Sequence, residues 1–332
     1  MSDEPPSDAE AAEARARAVT TSLVAAWMGE RYYRTFRPLD PEGSAFDALF
    51  AQRDRRIGVT CGLLWDGGGP PGATELAALI EDDLEGDEGG YVVWTPPGGE
   101  LPSEEPRQSS LRLALTRGLG GLEPGERREV RLPLTLPLAK VDAEGAYMSV
   151  SGPLASEWTT LSEGIGGAFH LDGRGLRRLP EERAELEIVL TQIRDRAALL
   201  EQGEVTAVDA HDYWLVSRLP ADEPRGVTVF GAPPAFDAGD GAWIRRSLRA
   251  QLRRAVAQSE AAEAAGEAVE LTVLALGASL AHIGEEMATA ALRGMSPATY
   301  GGVDLVALVA DGQVRQLLQP RSLPWAPTPP GR

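Results

Sequence analysis

A nine-residue apolar run, Ile57 to Trp65 (IGVTCGLLW), constrains this chain more than any other segment. It has the length of a strand and no polar alternation, which suits a central strand buried on both faces. Such a strand needs neighbours and covering helices, and the rest of the chain offers candidates for both. Further strand-like runs are Tyr91–Trp94, Tyr213–Leu219, Val227–Phe230, Leu271–Leu276, Val303–Val309 and Val314–Leu318. Apolar residues at spacings of three and four predict helices over Ala11–Met28, Thr74–Leu84, 108–119, Pro180–Leu200, 241–265 and Leu280–Leu292. Interleaved strands and helices predict an α/β or α+β fold, with a mixed central sheet and flanking helices.

Turn chemistry sets the expected boundaries. Residues 1–10, rich in proline and acid, are expected to be disordered, and 321–332 form a Pro-rich tail. Gly29 is a natural stop for the first helix. The aromatic segment Arg31-Tyr32-Tyr33-Arg34-Thr35-Phe36-Arg37 then reads as a strand ended by Pro38. Gly118 to Gly125 is the expected boundary between an α/β region over 11–120 and a second over 125–320. Residues 130–138 alternate apolar and polar as a half-buried strand does. Pro133 and Pro137 place that strand at a sheet edge, because proline has no N–H to give a ladder. Tyr147–Val150 is its expected hairpin partner across the Asp142–Gly145 turn. Asp240 is expected to cap the helix that follows it, and Asp311-Gly312 predicts a hairpin turn.

Charge and composition exclude several classes. A net charge of −18 opposes a broad electrostatic grip on nucleic acid, which needs a basic face, although a local basic patch stays open. No apolar run reaches the roughly 18 residues of a membrane helix, so no membrane association is expected. The first residues carry neither a basic region nor an apolar core, so no secretory leader is expected and a prokaryotic cytoplasm is the expected compartment. A single cysteine, Cys61, permits neither an internal disulfide nor a cysteine-based zinc cluster.

The first hundred residues carry a recognisable order. A helix bearing Glu10 and Glu13 leads to an aromatic segment, then to Phe46-Asp47-Ala48-Leu49-Phe50, and then to the strand Arg55-Arg56-Ile57-Gly58-Val59-Thr60-Cys61-Gly62. This order resembles the restriction-endonuclease-like, or PD-(D/E)XK, superfamily. The resemblance implies an aspartate and a glutamate that hold Mg²⁺, and a lysine two residues beyond the glutamate that helps activate water. Two carboxylates offer hard oxygen ligands, and substrate phosphate and water complete the octahedron. Carried over, Asp47 matches the first acid and the metal ligand. Thr60 stands where the second acid belongs and Gly62 where the lysine belongs, so the motif is degenerate.

Other residues invite chemistry more loosely. Lys140 is the only lysine, and a titratable amine can do what an arginine cannot. The helix over 241–265 carries Arg245, Arg249 and Arg253 at steps of four, with Arg246 and Arg254 beside them. That stripe can meet phosphates or carboxylates in bidentate fashion, and Glu260 and Glu263 are its expected partners within the chain. Asp209-Ala210-His211-Asp212 gathers three polar ligands, but without the spacing of a metal site. Neither Gly118–Gly121 nor Gly164–Gly167 sits in a dinucleotide or phosphate-loop context.

Three functions remain open on these grounds. One is a non-catalytic binding or scaffolding protein on a degenerate nuclease-like fold, with a protein partner or nucleic acid at the arginine face. The second is a Mg²⁺-dependent nuclease or related hydrolase whose missing groups come from Glu13, Asp66 or Lys140 and converge on Asp47. The third is a small-molecule enzyme with a separate apolar cleft.

Overall fold

In the computed structural model the described residues are 7–65, 68–84, 86–221, 223–237, 240–278, 290, 292, 295–296 and 299–325. The chain begins with α1 (Asp8–Tyr32), β1 (Arg37–Leu39), β2 (Ala48–Gln52), β3 (Arg55–Leu63), α2 (Ala73–Asp83), β4 (Gly90–Trp94) and α3 (Arg107–Leu119). It continues through β5 (Arg127–Val141), β6 (Tyr147–Val150), α4 (Trp158–Ser162), β7 (Ala168–Leu171), α5 (Arg183–Ala198) and β8 (Val205–Arg218). It closes with β9 (Gly226–Phe230), α6 (Gly241–Ala264), β10 (Leu271–Gly277), β11 (Leu305–Ala310) and β12 (Gln313–Leu318). The expected α/β class is the one adopted, with two mixed six-stranded sheets. Most of the expected helix over Leu280–Leu292 and most of the Pro-rich tail lie outside the described residues.

The chain forms two compact units, a large one of residues 1–128 and 215–332 and a small one, Glu129–Trp214. They are not the consecutive halves that the Gly118–Gly125 break suggests, because the small unit is an insertion within the large one.

The first sheet, ordered β1-β2-β3-β10-β11-β12, belongs wholly to the large unit. β3 pairs antiparallel with β2 and parallel with β10, and Ile57 to Leu63 are all buried. One face of the sheet (Ile57, Val59, Val273, Ala275) packs against Val19, Leu23 and Val24 of α1. The other face (Leu274, Leu276, Val306, Leu308) packs against Ile244, Leu248 and Leu252 of α6. The apolar run is thus a central strand under helices on both sides, as its lack of alternation requires. The large unit also holds β4, β9 and Leu215–Arg218 of β8, with β4 antiparallel to β8 and parallel to β9. Val92, Trp94, Leu215 and Phe230 join the core beside α1.

Local capping moved both ends of the first helix. Ser7 accepts from the Glu10 N–H while Glu10 accepts from the Ser7 N–H, a capping box that starts α1 at Asp8, inside the stretch expected to be disordered. Gly29 does not stop it. The helix runs to Tyr32 and ends on Tyr33 in the left-handed region, so Arg31 and Tyr32 are helical rather than extended. β1 begins at Arg37 and contains Pro38, which an edge strand tolerates.

In the small unit, Leu136, Leu138, Phe169, Leu190, Ile193 and Val208 form a core under α5. β5 is not an edge strand there, since it lies between β7 and β8. Nor is β6 its hairpin partner, because β6 pairs parallel with β7. Geometry reconciles this with the prolines. The Pro137 carbonyl receives the Asp172 N–H at 2.9 Å, whereas the Lys140 N–H goes the other way, to Glu204. Pro137, and Pro133 four residues earlier, therefore lack their N–H on the β7 side. β7 pairs with β5 only over Leu138–Val141, so neither proline interrupts a ladder bond.

Candidate functional site

β2 begins opposite Val59 and leaves Thr60 to Leu63 of β3 uncovered on that side. The Asp47 N–H still reaches the Val59 carbonyl at 3.1 Å, but Cys61 has no strand partner on that side. Side chains replace the missing strand. Asp47 Oδ2 accepts the Cys61 N–H at 2.7 Å, and the Cys61 carbonyl accepts from Arg254 Nη1 at 3.1 Å and from Arg17 Nη1. Arg254 also pairs with Asp47 Oδ1. Arg17 is held by Glu13, with 2.7 Å between Nη2 and Oε1.

The fold therefore brings Asp47 and Glu13 to the same strand end, around the backbone N–H and C=O of Cys61, and hands each an arginine. Both Asp47 oxygens are engaged, one by an N–H and one by a guanidinium. Arg254 stands where a cation bound to Asp47 would have to be, so the donor set does not fit Mg²⁺. Among the described residues no group of three or more His, Cys, Asp or Glu could hold a metal ion. The Cys61 thiol beside this cluster is buried, which pushes its pKa up to about 12 and leaves it a neutral core group.

The two other positions singled out by the sequence resemblance, Thr60 and Gly62, face α6. Thr60 Oγ1 is hydrogen-bonded to Gln258. A Cβ on Gly62 would lie 2.5 Å from Gln251 Oε1, so a lysine there would require Gln251 to leave. Glycine at 62 is thus the residue that lets α6 approach β3. Asp66, another proposed donor, lies outside the described residues.

Lys140 belongs to the small unit. Its Nζ donates to the Leu200 carbonyl at 2.9 Å, just beyond the end of α5, and lies 5.4 Å from the centre of the Phe169 ring. A cation at a helix carboxyl end is a stabilising cap, which accounts for the lysine without catalysis. Asp209 and His211 are exposed, while Asp212 is buried on the opposite face of β8 and accepts the N–H groups of Arg177 and Arg178. Those three polar residues do not converge.

The arginines of α6 behave differently. Asp240 caps the helix as expected, accepting from the N–H groups of Ala242 and Trp243 at 2.9 Å. Arg245, Arg246 and Arg253 are exposed, and Arg249 is half-buried with its Nε hydrogen-bonded to nothing. Arg253 donates only to the Arg249 carbonyl. Among the described residues none of these four reaches a carboxylate, so Glu260 and Glu263 are not their partners. Comparison of the chain with protein-family models, with curated proteins and with solved structures gives no match.

Proposed function

We propose that this chain is a non-catalytic binding or scaffolding protein on a degenerate nuclease-like fold. The nuclease-like part of this reading rests on the sequence order alone, in which Asp47 stands between the first helix and the strand over 55–62. The observation that carries the reading is the state of Asp47, whose carboxylate closes the end of β3 and is neutralised by Arg254. Thr60 and Gly62 offer no acid or base, and both are packed beneath α6. The surface available to a partner is the arginine stripe of α6. Steps of four residues space its guanidinium groups roughly 6 Å apart along the helix, and each can grip a carboxylate of a protein partner or a phosphate of nucleic acid. The competing reading, a nuclease with relocated groups, draws on Glu13 lying at the same strand end.

Incubation of the full chain with labelled single- and double-stranded DNA in Mg²⁺ or Mn²⁺, beside Asp47→Ala, separates the two. No cleavage by either protein is expected. Cleavage by the wild type that disappears in the variant would overturn the binding reading in favour of the nuclease.

A further inference from the structure

At the opposite end of β2, a cleft of about 500 Å³ opens between the end of α1, β1 and the β2–β3 turn, lined by Tyr33, Arg34, Thr35, Arg37, Gln52 and Arg53. That volume suits a small organic ligand. Three arginines from three local segments meet here, all exposed, and among the described residues none pairs with a carboxylate. The helix dipole explains a cation at the end of α1, and Arg34 donates to the Tyr33 carbonyl. It explains neither Arg37 on β1 nor Arg53 in the turn. Gln52 is buried, and its Oε1 accepts the Trp325 indole N–H at 3.0 Å. An indole N–H can only donate, so this bond fixes the Gln52 amide and leaves its N–H donors over.

The backbone adds an independent sign. Only three non-glycine residues among those described have positive φ, and two of them, Tyr33 (51°) and Arg53 (56°), line this cleft. Glycine is the default at a left-handed helix cap and at the first residue of a two-residue hairpin with positive φ. Here a bulky aromatic and a cation occupy those places against local preference, and each presents its side chain to the same cleft. Conformational strain held in this way marks sites where the side chain serves something other than the fold. Tyr33 is also 70% exposed, an aromatic face in water among guanidinium groups.

From this geometry we infer a nucleotide-binding cleft. Arg34, Arg37 and Arg53 hold phosphate through charge-assisted hydrogen bonds, and the Tyr33 ring stacks on the base. A carboxylate ligand would satisfy the arginines but give no reason for the exposed ring. The nucleotide can be free or a unit of a single strand, since both present the same phosphate and base. The cleft is separate from the α6 stripe and does not depend on it.

Fluorescence titration of the full chain with a mant-labelled nucleoside diphosphate and with a short labelled oligothymidylate tests this. Saturable binding is expected, with the tighter probe naming the source and pyrophosphate competing. Arg37→Ala and Arg53→Gly should each weaken binding about tenfold. Arg53→Gly should also raise Tm by roughly 2 °C, because glycine relaxes the turn, so its loss of binding is not a failure to fold. Tyr33→Ala should weaken the nucleotide about tenfold and leave pyrophosphate unchanged. The proposal is overturned if the wild type binds neither probe, if Arg37→Ala and Arg53→Gly bind as the wild type does, or if a glutamate-rich peptide displaces the nucleotide better than pyrophosphate does.

Discussion

Asp47 and Arg53 flank the five-residue strand β2, and its two ends have opposite characters. At Asp47 every charged group has a partner: two carboxylates, two guanidinium groups and the orphaned N–H and C=O of Cys61 satisfy one another. At Arg53 the guanidinium groups meet no carboxylate among the described residues, and the backbone holds a conformation that glycine would adopt more readily. The first arrangement is what a chain does to end a strand cheaply. The second leaves charge and strain unresolved, which the fold alone does not require. An acidic residue that matches a family motif can therefore be structural, while an unremarkable turn can be the better place to look for a ligand.

The sharpest way to break the contrast is at the closed end. Asp47→Ala leaves the Cys61 N–H without its acceptor and Arg254 without its carboxylate, and should cost about 2 to 3 kcal/mol in denaturant melts. Nucleotide binding at the far end should not change. A loss under about 0.5 kcal/mol would mean that the Asp47 cluster does not hold the strand end.

The pH response of the same end comes next. Burial raises the Cys61 pKa from 9.0 to about 12. Above pH 9 the unfolded chain gives up a proton that the folded chain retains, so stability falls as pH rises through this window and is unaffected below it. At pH 10 the loss is about 1.4 kcal/mol. Cys61→Ala should remove that slope, measured as the difference between the two proteins across pH 8 to 10.

A reciprocal pair of turn substitutions sharpens the comparison further. The β11–β12 hairpin turns on Asp311-Gly312, both at positive φ and both of the residue types that such a turn favours. The β2–β3 hairpin turns on Arg53-Asp54 instead. Gly312→Ala should destabilise by about 1 kcal/mol and Arg53→Gly should stabilise by a similar amount. Equal and opposite shifts in melting midpoint would locate the strain at Arg53. The smallest effect belongs to Arg55–Glu270, a pair at 2.9 Å that is largely open to solvent. Glu270→Gln should change stability by under about 0.5 kcal/mol in the same melts, showing that charge near this end is not in itself structural.

Much of the fold was legible. The IGVTCGLLW run identified the central strand, the Asp240 cap and the Asp311-Gly312 turn were readable from residue type, and the helices over 74–84 and 241–265 stood out by spacing. The aromatics from Arg31 to Arg37 favour a strand by residue type, and Gly29 favours a helix stop, whereas a left-handed tyrosine cap is not announced by residue type. The pattern of arginines among aromatics was the available sign of the cleft. Asp47 stands out by its place in the sequence order, yet its role is not readable there, since Arg254 lies 207 residues further along.

By itself the sequence determined the α/β class, the buried strand, the helix faces and the favoured turns, because these follow from periodicity and preferences within a few residues. Only the tertiary structure decided which strands are neighbours, that α6 covers Thr60 and Gly62, that Arg254 neutralises Asp47, and that Tyr33, Arg37 and Arg53 share a cleft. Those outcomes depend on sheet order and on contacts between distant segments, and no local preference specifies them.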